Sequence, residues 1–524
     1  MSDSPDPERR AKKPGKELYR QLRALSCDEL WQVEVPRFDT ASAAERLERV
    51  SVIRAVGVVI SETGTPAQRE AALAWIRPLL TDSQEKVRRY ALEALPKLGA
   101  SAQEEAQVLA RLQADPSERE LKSLGRTLSR IGGAATLESL QESGVPLDAE
   151  TAQRVKARLA RTESPGTLRM EGLFRPRTAV TVHLRGRRGL EGIVAHEVEA
   201  AAATGAALQS ILVRPGLVVT QTRDPFTLAD VYRLRCFDTA GIVLGTVPDL
   251  GGGATSDRIA DCIASEFTVS LLRAFHEGPI RYRLDFAALG HQRSAVRQIA
   301  DRVHALRPEL LNDPNQAPWT IAVHPGERGL SVELTPRLVP DPRLFYRQGD
   351  IRAASHPPLA ACMARLAGPM SQEVAWDPFC GSGLELIERG LLGGVRTLIG
   401  SDLDADALEV SRKNFEAAKL QGVTAHFVRG DFHDYGRLPG LGANTVSLIL
   451  TNPPMGRRIP VPDLRGLIGD VLQVAATVLR PGGRLVFPNP IRIPNPPAAL
   501  ELELRQTVDL GGFDCRLEKY VKRA

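Results

Sequence analysis

The feature that most restricts this chain is an alternation of β-rich and helical runs that begins near residue 354 and continues to the C-terminus. Runs rich in β-branched and apolar residues fall at 373–379, 396–402, 423–429, 446–451 and 484–488, and helical patterns occupy 384–392, 405–420 and 464–479. Parallel strands need a long crossover, usually a helix, so this rhythm predicts a doubly wound α/β sheet over 371–524. Strand-like runs at 501–510 and 515–522 flank Gly511-Gly512 and predict a closing hairpin.

Upstream the pattern changes twice. Residues 41–162 read as helical throughout, and part of the pattern recurs 33 residues on. Asp82, Leu95, Leu98 and Gly99 align with Asp115, Leu128, Ile131 and Gly132, although Val87 meets Glu120. A helix pair cannot bury its apolar stripe alone, so such units stack into an α-solenoid. The segment resembles short HEAT-type repeats, which implies either a docking surface for a protein partner or a plain structural extension. After Thr162-Glu163-Ser164-Pro165-Gly166 the composition shifts. Strand-like runs at 178–185, 211–222, 241–247, 280–286, 319–324 and 330–334 mix with helical ones at 189–202, 227–237, 257–276 and 293–311. This predicts an α+β region with helices over one face of an antiparallel sheet. Residues 1–40, opening with Pro, Ser and the bases Arg9, Arg10, Lys12, Lys13, Lys16 and Arg20, are expected to form a flexible tail.

Composition removes several classes. With 43% hydrophobic, 25% charged and 5% aromatic residues, the chain is ordinary for a globular protein. No apolar run approaches the roughly 20 residues that cross a bilayer, and the polar start lacks the core of a secretory signal. A cytoplasmic location without membrane attachment is expected. The six cysteines form no CxxC pair and the nine histidines no HxxxH pair, so neither a disulfide framework nor a metal site is expected. A net charge of +5 permits a polyanionic partner without requiring one.

The chemistry concentrates at successive strand ends. Asp377-Pro378-Phe379-Cys380-Gly381-Ser382-Gly383 joins a strand to a helix, where glycines allow close approach and the helix N-terminus offers free N–H groups. The loop lacks the third glycine of a dinucleotide fingerprint and is preceded by an acid, which suits a zwitterionic ligand such as S-adenosylmethionine. The second strand ends Gly400-Ser401-Asp402-Leu403-Asp404, with Asp402 placed for a ribose diol and Asp404 for a helix N-cap. The third ends Gly430-Asp431-Phe432, where the carboxylate can accept from an adenine amine. The fourth ends Asn452-Pro453-Pro454-Met455. The prolines make that loop rigid, so the Asn452 side-chain oxygen and the Pro453 carbonyl can receive one exocyclic amine and turn its lone pair toward a methyl donor.

At these residues the chain, from about residue 170 onward, resembles the THUMP-domain RNA methyltransferases that modify guanine N2 in tRNA or rRNA. The likeness rests on Asp377–Gly383, Gly400–Asp404, Gly430-Asp431, Asn452–Pro454 with Gly456-Arg457, and the lead-in Tyr346-Arg347 and His356–Ala361. It implies a ferredoxin-like domain over 168–278, a THUMP-like RNA-binding unit over 279–340, a linker and lead-in helix over 341–370, and a Rossmann-like class I methyltransferase domain over 371–524. It further implies that Asp377, Phe379, Gly381 and Gly383 line the methionine end of the cofactor. Asp402 would take its ribose, and Asp431 and Phe432 its adenine. Asn452, Pro453, Pro454 and Met455 would form the catalytic loop, with tRNA favoured over rRNA. Arg457 and Arg458 are candidate RNA-phosphate contacts. The family usually carries Tyr or Phe where this chain has Met455, and Phe432 or Phe487 is expected to supply the missing ring. Competing readings are an amino-methyltransferase acting on DNA adenine or cytosine or on protein glutamine, and a non-catalytic RNA-binding scaffold.

Overall fold

The computed structural model describes residues 14–142, residues 151–159 apart from 153 and 157, and residues 166–524 apart from 291, 352, 353, 458 and 494. The chain divides into two units, Met1–Pro165 and Gly166–Ala524.

The first unit is helical. Helices Ser51–Thr63, Glu85–Leu98 and Glu118–Ile131 pack side by side, with Pro66–Leu79 and Ala102–Leu112 between them in sequence. Polar caps set the starts: the side chains of Ser42, Thr65 and Ser101 each sit in a capping box, a device that contributes about 1 kcal/mol per helix. At Gly57 an added Cβ would lie 2.8 Å from that of Ala94, so the absence of a side chain sets how closely two helices approach.

The sequence mismatch between Val87 and Glu120 has a physical reason. Both positions are fully buried, Val87 in apolar contact and Glu120 as the receiver of two arginines. Arg88 donates through Nε and Nη2 at 2.7 Å each, and Arg111 through Nε at 2.7 Å and Nη2 at 3.1 Å. Burial alone would raise the Glu120 pKa, but these bonds outweigh it and hold the carboxyl down at about 2.

The expected flexible tail is corrected in part. Residues 14–39 form helices Pro14–Arg23, Cys27–Glu29 and Val35–Asp39 around a wider turn at Leu30–Glu34. Leu22, Leu30, Val35 and Phe38 enter the unit's core, so a stretch whose apolar residues are sparse but helically spaced is tied down by burial. The bases at 9–13 lie outside the described residues.

The second unit holds two large sheets. The strands of its first part are β1 (Thr167–Leu168), β2 (Val180–Arg185), β3 (Gln209–Arg214), β4 (Leu217–Thr222), β5 (Thr239–Val247), β6 (His276–Glu277), β7 (Arg281–Phe286), β8 (Leu311–Asn312), β9 (Trp319–Gly326) and β10 (Gly329–Pro336). Apart from a small β1–β6 ribbon they form one eight-stranded sheet in the order β3-β4-β2-β5-β10-β9-β7-β8. The division expected at 278/279 is therefore not a sheet boundary, because β5 pairs with β2 on one side and β10 on the other. The long helix expected over 257–276 is two, Gly252–Ile263 and Glu266–Phe275, since the Ser265 hydroxyl caps a new start by accepting from the Thr268 N–H. The segment expected as a linker is core: Tyr346 is fully buried, and most of helix Pro357–Ala367 is buried.

The last part contains β11 (Glu373–Asp377), β12 (Val395–Asp402), β13 (Thr424–Arg429), β14 (Val446–Leu450), β15 (Leu479–Asn489), β16 (Leu500–Asp509) and β17 (Asp514–Lys522). Their order is β13-β12-β11-β14-β15-β17-β16, parallel except where β17 pairs antiparallel with β15 and β16. This is the Rossmann-like sheet and closing hairpin that the residue pattern predicts. Side chains alternate between two cores: Ala375 and Leu448 share one with the eight-stranded sheet, and Trp376 and Ile449 share the other with helix Leu464–Val478. Among the described residues no helix is long and apolar enough to cross a membrane.

Replacing Glu120 by Ala should strip two guanidinium groups of their buried partner, a change that costs about 3–5 kcal/mol. Hydrogen exchange should then show faster amide exchange across Glu85–Leu98 and Glu118–Ile131, with the amides of Gly166–Ala524 unchanged.

Candidate active site

The C-terminal ends of β11, β12, β13 and β14 open onto a cavity of about 900 Å3, a volume typical of a site for a cofactor-sized ligand. The glycine loop after β11 is locked from several sides. Gly381 adopts φ +50° and Gly383 φ +80°, a left-handed region that disfavours side chains. The Gly381 N–H donates to Asp402 Oδ2 at 2.9 Å, and Ser411 Oγ donates to the Gly381 carbonyl at 2.6 Å. Asn414 bridges the loop to the lead-in segment: its Nδ2 donates to the Ser382 carbonyl, while its Oδ1 accepts from the N–H groups of Gln348 and Gly349.

Of the residues singled out by sequence, Phe379, Gly381, Asp402, Asp431, Phe432, Asn452, Pro453, Pro454, Met455 and Arg457 all line this cavity. Gly383 and Asp377 do not; they stand behind the loop, and Arg458 lies outside the described residues. Asp377 is fully buried at the end of β11. Its Oδ1 accepts from Thr451 Oγ1 at 2.6 Å and the Phe379 N–H at 3.0 Å, while Oδ2 has no hydrogen-bond partner. Asp402 accepts the Asp404 N–H on its other oxygen, and Asp404 caps helix Ala405–Ala418. Asp431 Oδ1 accepts from the His433 N–H at 2.9 Å and pairs with His433 Nδ1 at 2.6 Å. The other ring nitrogen of His433 meets Asp470 at 3.1 Å.

The electrostatics of this end are acidic. Burial, then the nearby charge of Glu385, pushes Asp377 well above the usual carboxylate range. Burial likewise raises Glu385, against the lowering effect of a bond from Ser355. At Asp431 the His433 bonds outweigh burial and the pKa falls. Cys380 is buried in the loop and its thiol is pushed up by burial, so it packs and does not serve as a nucleophile.

The Asn452 carboxamide is oriented by a chain of bonds that the local motif does not reveal. Ser355 Oγ gives its one proton to Glu385 Oε1, so it can only accept from Asn452, whose Nδ2 donates at 2.8 Å. Asn452 Oδ1 is then left buried and without a partner. An unmet buried acceptor costs about 1–3 kcal/mol until a donor reaches it. Glu385, Ser355, Arg187 and Phe513 also line the cavity and were not found by sequence reasoning. Only Glu385, an acid in the first turn of a helix, left a local trace.

Phe487 is corrected. It is fully buried, stacked near Tyr520 with ring centroids 6.3 Å apart, and does not reach the cavity. It stands on β15, where alternate side chains point into one core or the other and not along the strand. Phe432 lines the wall but is 4% exposed, its ring held 5.0 Å from that of Phe379.

Comparisons with known proteins agree with the fold of the last part of the chain. The UPF0020 family model, the RMKL-like methyltransferase domain, matches residues 344–490. The tRNA (guanine(10)-N2)-dimethyltransferase of Methanothermobacter thermautotrophicus is 35% identical over 152 residues, 29% of this chain and 39% of that protein. The probable tRNA (guanine(10)-N2)-dimethyltransferase of Methanothermococcus thermolithotrophicus is 32% identical over 158 residues, 29% of this chain and 88% of that protein. The chain thus spans well under half of the first relative and most of the second. In fold, it resembles TrmN from Thermus thermophilus, with a TM-score of 0.53 and 19% identity over 66% of this chain and 99% of that one. On the match to the archaeal relatives, the chain belongs to the family of RMKL-like methyltransferase-domain proteins.

Proposed function

We propose that this protein is an S-adenosylmethionine-dependent RNA methyltransferase that methylates the exocyclic N2 of guanosine, in tRNA before rRNA. The observation that carries the reading is the unpartnered Asn452 Oδ1 in the wall of the same cavity as Gly381 and Asp402. The names of the archaeal relatives point to the same acceptor atom.

The residues present fit the cofactor. A cavity end bordered by Glu385, Asp402 and Asp431, with the unmatched Asp377 oxygen behind it, favours a ligand with cationic groups, and a sulfonium carrying an α-ammonium is one. Phe379 and Gly381 would line the methionine end, with Asp377 and Gly383 shaping the loop from behind, Asp402 would take the ribose diol, and Asp431 with Phe432 the adenine. When bound, the cofactor supplies a methyl group already activated by the sulfonium. The chain's own residues then position the acceptor. Asn452 Oδ1 and the Pro453 carbonyl would accept the two N–H bonds of the guanine amine, localise its lone pair and align it with the methyl, and the proton the nitrogen sheds after transfer would leave to bulk solvent. Pro453 and Pro454 restrict the loop, so little reorganisation is needed at the moment of transfer. Arg457, in the cavity wall, would meet the RNA. No step requires a metal.

The remaining parts suit an RNA enzyme. We read the stacked helices of the first unit as a HEAT-type solenoid, and the eight-stranded sheet as a ferredoxin-like region continued by a THUMP-like RNA-binding unit. An open cavity with its acidic rim intact favours the enzyme over a bare scaffold.

Three outcomes test this. Asn452→Ala should lower tritiated-methyl transfer to unmodified tRNA by roughly 100-fold or more while the cofactor dissociation constant, read by calorimetry, changes little. Asp402→Ala should instead weaken cofactor binding by roughly 10- to 100-fold, since it removes hydrogen bonds made by a charged group. The third concerns pH. Asp377 and Glu385 have folded pKa values raised above their unfolded ones, so their contribution to stability is present below the ordinary carboxylate range near 4 and is lost as pH rises through the raised values. Thermal unfolding of the ligand-free protein across pH 4–8 should show that loss. Asp377→Asn should flatten it, and saturating S-adenosylmethionine should oppose it.

A further inference from the structure

The catalytic loop carries Met455 where a target base needs a ring to lie against, and neither sequence-designated substitute serves. Phe487 is in the core, and Phe432 is packed on Phe379 at the acidic end. The cavity wall contains another ring. Phe513, half-buried, comes from the turn between β16 and β17, far along the chain from the loop it faces. The guanidinium carbon of Arg457, next but one after Met455, lies 4.4 Å from the Phe513 ring centroid. The pair therefore joins the loop after β14 to the β16–β17 hairpin, while Asp402 and Asp431 stand at the ends of β12 and β13, on the other side of β11 in the strand order.

The turn that carries this ring is held in place. Asp509 Oδ1 accepts from the N–H groups of Gly511 at 2.8 Å and Gly512 at 2.9 Å, and the Leu510 N–H donates to the Phe513 carbonyl at 2.9 Å. Gly511 and Gly512 both have positive φ, at 89° and 95°, which fixes a turn that few other residues would enter. The eight-stranded-sheet region grips the same hairpin. The Asp509 N–H donates to the Arg188 carbonyl at 2.9 Å, Arg187 Nη1 donates to the Asp509 carbonyl at 3.3 Å, and a Cβ on Gly189 would fall 1.9 Å from the Thr507 carbonyl oxygen. Nothing in this turn needs an aromatic side chain for its own geometry. A planar guanidinium layered with a half-buried ring in a cavity wall is, however, a surface on which a nucleobase stacks, because both present flat, weakly hydrated faces.

We propose that Phe513, layered with Arg457, is the stacking platform for the target purine of the RNA and takes the place left open at Met455. The inference rests on the methyl-transfer reading above and names the residues that hold its substrate base.

The test uses the full chain, unmodified tRNA transcripts and tritiated S-adenosylmethionine. Phe513→Leu keeps an apolar side chain but removes the ring, and it should lower kcat/KM for tRNA by roughly 10- to 100-fold, chiefly through KM. Its thermal midpoint and its calorimetric affinity for S-adenosylmethionine should stay at the wild-type values. Phe513→Tyr should restore kcat/KM, since it restores the plane. Arg457→Lys keeps the charge and loses the plane, and it should fall several-fold; wild-type kcat/KM in that variant would overturn the layered platform. Phe513→Leu at wild-type kcat/KM, with transfer intact, would overturn this inference and leave the methyl-transfer reading standing. A wild-type protein that neither binds S-adenosylmethionine nor labels RNA would overturn that reading itself.

Discussion

Two buried glutamates unite the eight-stranded sheet region with the Rossmann-like domain, and the composite cavity depends on them. Glu388 accepts from Arg235 Nε at 2.7 Å, Arg235 Nη2 at 2.8 Å and Tyr346 Oη at 2.6 Å. Glu197 accepts the N–H groups of Arg235 and Cys236, and Arg365 Nε at 2.9 Å. Both carboxylates are almost wholly buried, so either would be costly without those partners. Around them a single apolar core runs from Val182 and Leu272 to Met363, Ala375 and Val486. The eight-stranded-sheet region is therefore fixed to the catalytic domain and does not hang from a linker. Arg187 can then serve as wall and brace at once, lining the cavity and holding the hairpin that carries Phe513.

The glycine loop shows the opposite economy. Two carboxylates stand behind and beside it whose ionised forms burial disfavours: Asp377 is enclosed with one oxygen unpaired, and Glu385 is raised by burial. A well-packed apolar pair would suit stability better. Such groups are retained where a charged ligand recovers the cost, as functional sites commonly do. The same holds for Asn452, whose amide is pinned by Ser355 so that its oxygen stays unsatisfied until a donor arrives.

What the sequence disclosed was local. The strand–helix rhythm gave the parallel sheet and its hairpin, because period and crossover length are properties of short windows. The residues at the ends of β11 to β14 were legible for the same reason, since a parallel sheet gathers its strand ends along one edge. Contacts between distant segments were not legible. Ser355 and Asn452 are 97 positions apart, and nothing near either residue names the other. Phe513 was not singled out beside Gly511-Gly512, and only the docking of that hairpin on residues 187–189 brings it to the cavity. Phe487 failed in the reverse direction: its position at a strand end was right, but its side chain belongs to the core between β15 and helix Leu464–Val478. Glu120 broke the repeat pattern because two arginines from other helices replace apolar packing there.

The cavity as a whole divides its charges. Asp402 and Asp431 stand at the ends of β12 and β13, whereas Arg457 follows β14 and Arg187 braces the hairpin of β16 and β17; Glu385 reaches Asn452 through Ser355. On the proposed reading the two ligands carry opposite charge where they enter: a cationic methyl donor and a polyanionic RNA. A wall of uniform sign would attract one and repel the other. Separating the signs lets each ligand find its own end, and it discourages RNA phosphates from entering the donor's place. The net charge of +5 is too small to draw RNA by itself, so the placement of a few arginines around the opening matters more than their total. Asn452 sits between the two regions, where an uncharged amide can receive an amine without favouring either ligand's charge.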